Sequence, residues 1–239
     1  MNNVYREEKK YVITKDTFYR LRHYIAQVMH RDYHSEKNHY RYRKGDGYTI
    51  RSLYFDSLDD RDFHEKLDGI ELRRKCRLRT YMHDPNFCLL ELKKKQGHIQ
   101  KKSSYRLTRE QGERLIRGDY QLLLELNHPF LLECYYMMMQ HVYRPRSVVT
   151  YERDAFVAKE NKIRVTFDQA IRGTESNFDI FSERLQENEF MDANHVVLEV
   201  KYNGFLLQYI KDLLDEVEKE QLSVSKYCLS RKISKHYVL

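Results

Sequence analysis

Apolar and polar side chains alternate with a period of two along eight stretches of this chain: 5–13, 48–56, 72–81, 87–95, 100–107, 147–154, 162–168 and 195–202. Each stretch is also rich in Tyr, Val, Ile and Thr, so each predicts a β-strand. Between them the apolar period lengthens to that of a helix. Thr14 stands as a cap before Phe18, Leu21, Tyr24, Ile25 and Val28, which recur at three- and four-residue spacing. Thr108 followed by Gln111 has the form of a capping box, and Gly118 fits the stop of a short helix through Leu115 and Ile116. Residues 129–143, PFLLECYYMMMQHVY, are apolar on nearly all sides and predict a buried helix. In 205–219, Leu206, Ile210, Leu213, Leu214 and Val217 share one side, and a last short helix is expected to begin near Ser225. Strands mostly adjacent to strands, with four or five helices among them, predict an antiparallel α+β fold. No linker or low-complexity stretch divides the sequence, so a single domain over 1–239 is expected.

The alternation sorts charge as well as hydropathy. In 72–80, LRRKCRLRT, one strand face carries Arg73, Lys75, Arg77 and Arg79. Like charges about 6.6 Å apart on one strand repel unless an anion or water lies among them. The arrangement recurs. Glu91, Lys93 and Lys95 share a face, as do Glu199 and Lys201. So do Arg6, Glu8 and Lys10, then Arg164, Thr166 and Asp168, then Val149, Tyr151 and Arg153. A sandwich with its polar side to solvent explains any one of these strands. For the set, a closed eight-stranded antiparallel barrel explains more: apolar outside against helices, basic lumen inside, wide enough for one small ligand.

The net charge of +7, from 43 Lys and Arg against 36 Asp and Glu, agrees with an anionic partner. Hydrophobic residues at 41%, with only 3 Pro and 8 Gly, exclude a disordered chain. No run of 18 apolar residues occurs, so no transmembrane segment is expected. The N-terminal MNNVYREEKK lacks the apolar stretch of a signal peptide, and Cys76, Cys88, Cys134 and Cys228 form no Cys-x-x-Cys pair. Both features suit a cytoplasmic protein. The eleven His show no metal spacing, MMMQ at 137–140 reads as core filling, and Walker, GxGxxG and Gly-x-Ser-x-Gly motifs are absent. Segment 34–47 mixes Tyr with Arg and Lys, but a basic loop beside an anion site accounts for it, and nucleic acid is not the expected partner.

REEKKYVI, IRSLYFDS, KLDGIELRRKCRLRTY, LLELKKKQG, VVTYERDAF, IRVTFDQAIRG, VVLEVKY and SVSKY, in that order, resemble the polyphosphate-polymerase (VTC) domain, within the CYTH-like triphosphate tunnel metalloenzymes. The resemblance implies an eight-stranded tunnel, with Lys10 on phosphate and Arg77 and Arg79 gripping the transferable phosphates of ATP. It implies Lys93 in the Glu-x-Lys strand, Lys101 as the next basic position, and Arg153 and Arg164 as tunnel arginines. Glu199 resembles the ligand of Mn²⁺ or Mg²⁺, with Lys201 beside it, and Ser225 and Lys226 resemble a C-terminal phosphate-binding pair. Arg77, Arg79, Lys93 and Arg153 form the expected catalytic group; Arg73, Lys75, Lys95 and Tyr151, which share strand faces with such residues, join the expected substrate contacts.

Two positions depart from the family's patterns. The hydrolase branch opens with Glu-x-Glu-x-Lys, where this chain has Arg6, Glu8 and Lys10, which favours the polymerase branch; Ser223 stands where the polymerase pattern has a further Lys. The expected activity is therefore transfer of the ATP γ-phosphate to inorganic polyphosphate. A tunnel triphosphatase and a non-catalytic polyphosphate or inositol-phosphate binding module are the alternatives, and a membrane-protein partner is left open.

Overall fold

The structure is a computed structural model and describes residues 6–36, 47–82, 84–97, 99–215, 220–221 and 225–236. Ser223, Val217 and most of the basic segment 34–47 lie outside the described residues. The strands are β1 (Arg6–Thr14), β2 (His30–Arg31), β3 (Tyr48–Asp56), β4 (Leu72–Tyr81), β5 (Asp84–Gln96), β6 (Ile99–Thr108), β7 (Arg144–Val157), β8 (Arg164–Thr174), β9 (Asn188–Glu189), β10 (His195–Asn203) and β11 (Glu220–Gln221). The helices are α1 (Lys15–Val28), α2 (Arg61–Leu67), α3 (Arg109–Ile116), α4 (Leu122–Glu125), α5 (Pro129–Gln140), α6 (Gln208–Asp215) and α7 (Lys226–His236). All eight expected strands form. Among the described residues the three additional ones are two-residue bridges, too short to show a period.

Caps place the helices where the sequence put them. Thr14 Oγ1 accepts from the Thr17 backbone N–H, and Thr108 with Gln111 makes both bonds of a capping box. Helix α5 starts on Pro129 and buries Leu131, Cys134 and Met138, but Tyr136 and Met139 are exposed. It is thus one-sided, and the expectation of burial all round is corrected: one face packs on the sheet and the other meets water.

The chain divides into two compact units, each assembled from three separate segments. The first comprises Met1–Thr49, Tyr151–Ile171 and Met191–Ser223. Its strands run in the order β11-β1-β10-β8-β7, with β2 on the end of β7. Their apolar face, with Val165, Phe167, Val196, Leu198 and Val200, packs against Phe18, Leu21 and Ile25 of α1 and Ile210 and Leu214 of α6. The second unit comprises Ile50–Thr150, Arg172–Phe190 and Val224–Leu239, with the order β7-β3-β4-β5-β6. Leu53, Phe55, Cys76, Leu78, Leu90, Leu92 and Leu107 form its sheet core beneath Leu115 of α3, Leu122 and Leu123 of α4, and Leu131 and Met138 of α5. In both units, then, helices cover one face of an antiparallel sheet. Among the described residues, hydrogen bonds do not close the ladder in either unit. Alternation specifies which face of a strand is apolar; it carries no information on whether edge strands find partners.

Close strand approach in the second unit depends on Gly173. A Cβ there would lie 2.2 Å from the carbonyl oxygen of Val148 and 2.9 Å from the Phe190 ring. Relieving that overlap requires backbone movement, so Gly173→Ala is expected to destabilise by about 1–3 kcal/mol. Urea unfolding checks this, and a midpoint equal to that of the unsubstituted protein would contradict it.

Candidate functional site

The second unit carries the greater concentration of positive charge. Cross-strand register places Arg73 opposite Lys95, Lys75 opposite Lys93, Arg77 opposite Glu91 and Arg79 opposite Leu89. Continuing to β6, Lys95 faces Gln100, Lys93 faces Lys102, Glu91 faces Ser104 and Leu89 faces Arg106. Across β3, Tyr54 is opposite Arg77 and Ser52 opposite Arg79. From Arg73 to Arg79 on β4, and over the residues that face them on β5 and β6, this face therefore carries Arg73, Lys75, Arg77, Arg79, Lys93, Lys95, Lys102 and Arg106 against one carboxylate, Glu91. Lys75, Lys93 and Lys102 form a row of three cations across adjacent strands. Directly opposed like charges destabilise a sheet. On the other face Arg74 lies 3.6 Å from Asp62, and Lys94 pairs with Glu133.

Glu91 is the hub of that face. Its side chain is 2% exposed, Arg77 Nε donates to it at 2.6 Å, Arg79 Nε lies at 3.7 Å, and Lys102 also pairs with it. Burial alone would push its carboxyl up, but the charges of Arg77, Arg79 and Lys102 outweigh burial and hold it well below the ordinary carboxylate range.

In the first unit the charges balance. Lys10 on β1 faces Glu199 on β10, and Glu8 faces Lys201. Lys10 Nζ lies 2.6 Å from Glu8 and 3.4 Å from Glu199, while Lys201 Nζ lies 3.0 Å from Glu199 and 3.9 Å from Glu8. Arg153 on β7 makes a bidentate pair with Asp168 on β8 at 2.6 and 2.7 Å, with its Nη2 3.8 Å from Glu199. Tyr151 is buried, its ring 5.2 Å from the Arg153 guanidinium. Arg164 donates to Asp32 at 2.6 Å and to the Tyr48 hydroxyl at 3.2 Å.

Burial would raise the Glu199 carboxyl, but Lys201, Lys10 and Arg153 hold it far below its usual range. The Lys201 ammonium is lowered to about 8, mainly by burial, against the pull of Glu199 and Glu8. Lys10 is raised, because the same two carboxylates outweigh its desolvation.

The donor set bears on the expected divalent ion. Among the described residues no three His, Cys, Asp or Glu side chains come together as a cage. Glu8 and Glu199 supply two hard oxygen donors that share Lys10 and Lys201. Mg²⁺ commonly takes one or two carboxylates and completes its shell with phosphate oxygens and water, so the residues fit an ion that arrives with its substrate.

The expected site residues thus fall into two groups. Lys10, Tyr151, Arg153, Arg164, Glu199 and Lys201 lie in the first unit, and Arg73, Lys75, Arg77, Arg79, Lys93, Lys95, Ser225 and Lys226 in the second. Ser225 caps α7, its Oγ accepting from the Cys228 backbone N–H at 3.2 Å. Lys101 is not brought to the basic face. It pairs in register with Lys94 on the opposite side, and Lys102 takes the basic position instead. Glu8 and Asp168, placed on charged strand faces from sequence but given no role there, and Lys102, not named there, complete the charge pattern. Strand parity could have found Lys102, which shares a face with Arg106.

Glu91 is expected to be a source of both stability and pH dependence. Its folded pKa is depressed, so its contribution is complete above the ordinary glutamate value of 4.5 and is lost as the pH falls below it. Glu91→Gln should cost about 2 kcal/mol near neutral pH, toward the low side for a broken buried pair because Lys102 and Arg77 reach water. It should also flatten the acid limb of the stability profile. Urea unfolding at pH 7 and at about pH 3.5 measures both; an equal loss at both pH values would contradict the assignment.

Comparisons with known proteins bear on the fold and the family. A solved Hippeastrum structure, a candidate adenylyl cyclase with a dominant triphosphatase activity, superposes with a TM-score of 0.55 at 12% identity over 94% of both chains, so the two share a fold. A candidate adenylate cyclase of Bacillus halodurans gives 0.46 at 13% identity over 89% of this chain and 88% of that one. A Pyrococcus horikoshii protein gives 0.44 at 11% identity over 96% and 99%. No curated protein matches the sequence. The profile of the VTC domain matches residues 5–235, nearly the whole chain, and the chain belongs to the VTC domain family.

Proposed function

We propose that this protein is a metal-dependent polyphosphate polymerase that transfers the γ-phosphate of ATP to a growing polyphosphate chain. The observation that carries the reading is the face of β4, β5 and β6, which gathers eight cations, three of them around Glu91 and three lysines in a row. A string of phosphates matches the sign of that charge and can meet several of these cations at once. Arg forks take phosphate oxygens two at a time, whereas Lys acts as a point charge.

In this reading Arg77, Arg79 and Lys93 neutralise the triphosphate, with Arg73, Lys75, Lys95 and Lys102 along the same face and Ser225 and Lys226 at the C-terminal helix. Lys10, Arg153, Arg164 and Lys201 hold phosphate in the first unit, where Tyr151 backs Arg153. Glu199, with Glu8, would hold Mn²⁺ or Mg²⁺, which when bound neutralises phosphate charge and orients its oxygens. A terminal phosphate oxygen of the chain forms the new bond to the γ-phosphorus, and the bond to the β–γ bridging oxygen breaks, its electron pair leaving with ADP. The acceptor oxygen is already anionic at neutral pH, so no general base is needed. Catalysis is positioning and charge neutralisation. The tunnel implied by the family resemblance belongs to this proposal and is not what carries it.

A triphosphatase is the second reading, favoured by the fold shared with the Hippeastrum protein and its triphosphatase activity. Product analysis separates the two. Incubation with ATP and Mn²⁺ is expected to yield ADP and acid-insoluble polyphosphate in step. Arg77→Ala should slow this about a hundredfold, and Glu199→Ala should abolish metal-dependent turnover. Free phosphate without polymer would select the hydrolase, and tight polyphosphate binding without any turnover would select a binding module.

A further inference from the structure

Arg77 is held from two sides. Its Nε donates to Glu91 at 2.6 Å, and its Nη1 donates to the Tyr54 hydroxyl at 3.1 Å. The guanidinium carbon lies 5.8 Å from the centroid of the Tyr54 ring. Partners on β3 and β5 thus fix both the position and the rotation of the fork.

Tyr54 is fixed in turn. Its ring stacks on that of Tyr227 with centroids 5.0 Å apart and planes 27° from parallel. Tyr227, in the first turn of α7, donates its hydroxyl to Asp56 at 2.6 Å. Asp56 cannot follow a moving tyrosine, because its carboxylate also accepts from the backbone N–H groups of Ser57, Asp62 and Phe63. The Tyr227 ring lies 5.7 Å from Lys75 Nζ, so it touches a second cation of the same face. Both rings are almost wholly buried, at 4% and 1% exposure, which leaves them no room to swing. Burial would push the Tyr54 hydroxyl up, yet Arg77, Lys75 and Arg79 bring it below its ordinary value, a measure of the positive field it stands in.

Neither tyrosine is among the side chains that the family resemblance assigns to phosphate. We propose that Tyr54 and Tyr227 are positioning residues: the stacked pair carries the anchored start of α7 to Lys75 and Arg77 and holds those two cations in the orientation that receives a phosphate. Arginine and lysine have much rotamer freedom to lose on binding, and a cation fixed beforehand keeps that loss out of the affinity. The inference rests on the reading above that this face binds phosphate.

The test is a binding cycle with tripolyphosphate followed by calorimetry, with melting temperature recorded for each protein. Tyr54→Phe keeps the ring and its stack and removes only the hydroxyl. It is expected to weaken binding about fivefold to tenfold with little change in melting temperature. In an Arg77→Ala background the same substitution should have no further effect. Tyr227→Leu, which removes the stack, should weaken binding comparably, and by less once Arg77 is gone. Unchanged affinity in Tyr54→Phe, when Arg77→Ala loses affinity, overturns the inference and leaves the phosphate reading standing. Equal losses in both backgrounds, or a fall in melting temperature at unchanged affinity, mark the pair as packing alone and also overturn it. Failure of the unsubstituted protein to bind tripolyphosphate defeats the phosphate reading itself, and this inference with it.

Discussion

Repulsion among cations on one face of β4, β5 and β6 is the constraint around which the second unit is organised. A strand has two faces, and here one is given over to Arg73, Lys75, Arg77, Arg79, Lys93, Lys95, Lys102 and Arg106. The other face must then supply nearly all the cohesion. It does so with Leu53, Leu78, Leu90, Leu92 and Leu107 beneath three helices. Glu91, almost wholly buried, keeps the charged face tolerable without cancelling it. In the first unit the opposite solution holds: Glu8, Glu199, Asp168 and Asp32 answer Lys10, Lys201, Arg153 and Arg164 one for one. The excess charge of the protein is therefore not shared evenly, and the two faces suit different tasks. The first sets carboxylates and cations side by side, whereas the second gathers cations around few carboxylates of its own strands.

Much of this was legible before any coordinates. Period-two alternation located every strand longer than two residues, because a half-buried strand must alternate. It also sorted the charged residues correctly by face within each strand. What alternation could not supply was the phase between strands. Lys101 and Lys102 are adjacent and chemically identical; parity puts Lys102 on the face of Arg106, but the register across the turn at Gly97 is what sets it beside Lys93. The same limit hid the partnership of Arg153 with Asp168 and of Tyr54 with Arg77, each a contact between neighbouring strands that depends on their register. Helix α5 misled in another way: an apolar run does not distinguish a fully covered helix from one that shows Tyr136 and Met139 to solvent. Closure of the sheet was not legible at all, since it depends on what edge strands meet.

The tyrosines illustrate how the same residue type serves different ends. Tyr120 donates its hydroxyl to the Tyr143 carbonyl inside the core, an ordinary settlement of a buried polar group. Tyr54 accepts from a guanidinium, and Tyr227 stacks behind it with its own hydroxyl on a carboxylate that backbone N–H groups hold rigid. Composition counts all of these alike. Their roles separate only when each hydroxyl is followed to its partner.

The pairing of β1 with β10 has a kinetic side. Glu8 and Lys201 are neighbours in space but about two hundred residues apart along the chain. Bringing such distant segments together costs loop-closure entropy before any contact repays it, and folds rich in such pairings are slow to reach the native state. The hairpins β4-β5 and β5-β6 have no such delay, since their turns join strands next to one another in sequence. The surplus-charge face can therefore assemble early on the folding path, while the cluster around Glu199 waits for the rendezvous of β1 with β10. In the interval β1 is an unpaired strand, and its run Arg6, Glu7, Glu8, Lys9, Lys10 is charged enough to discourage the wrong neighbours.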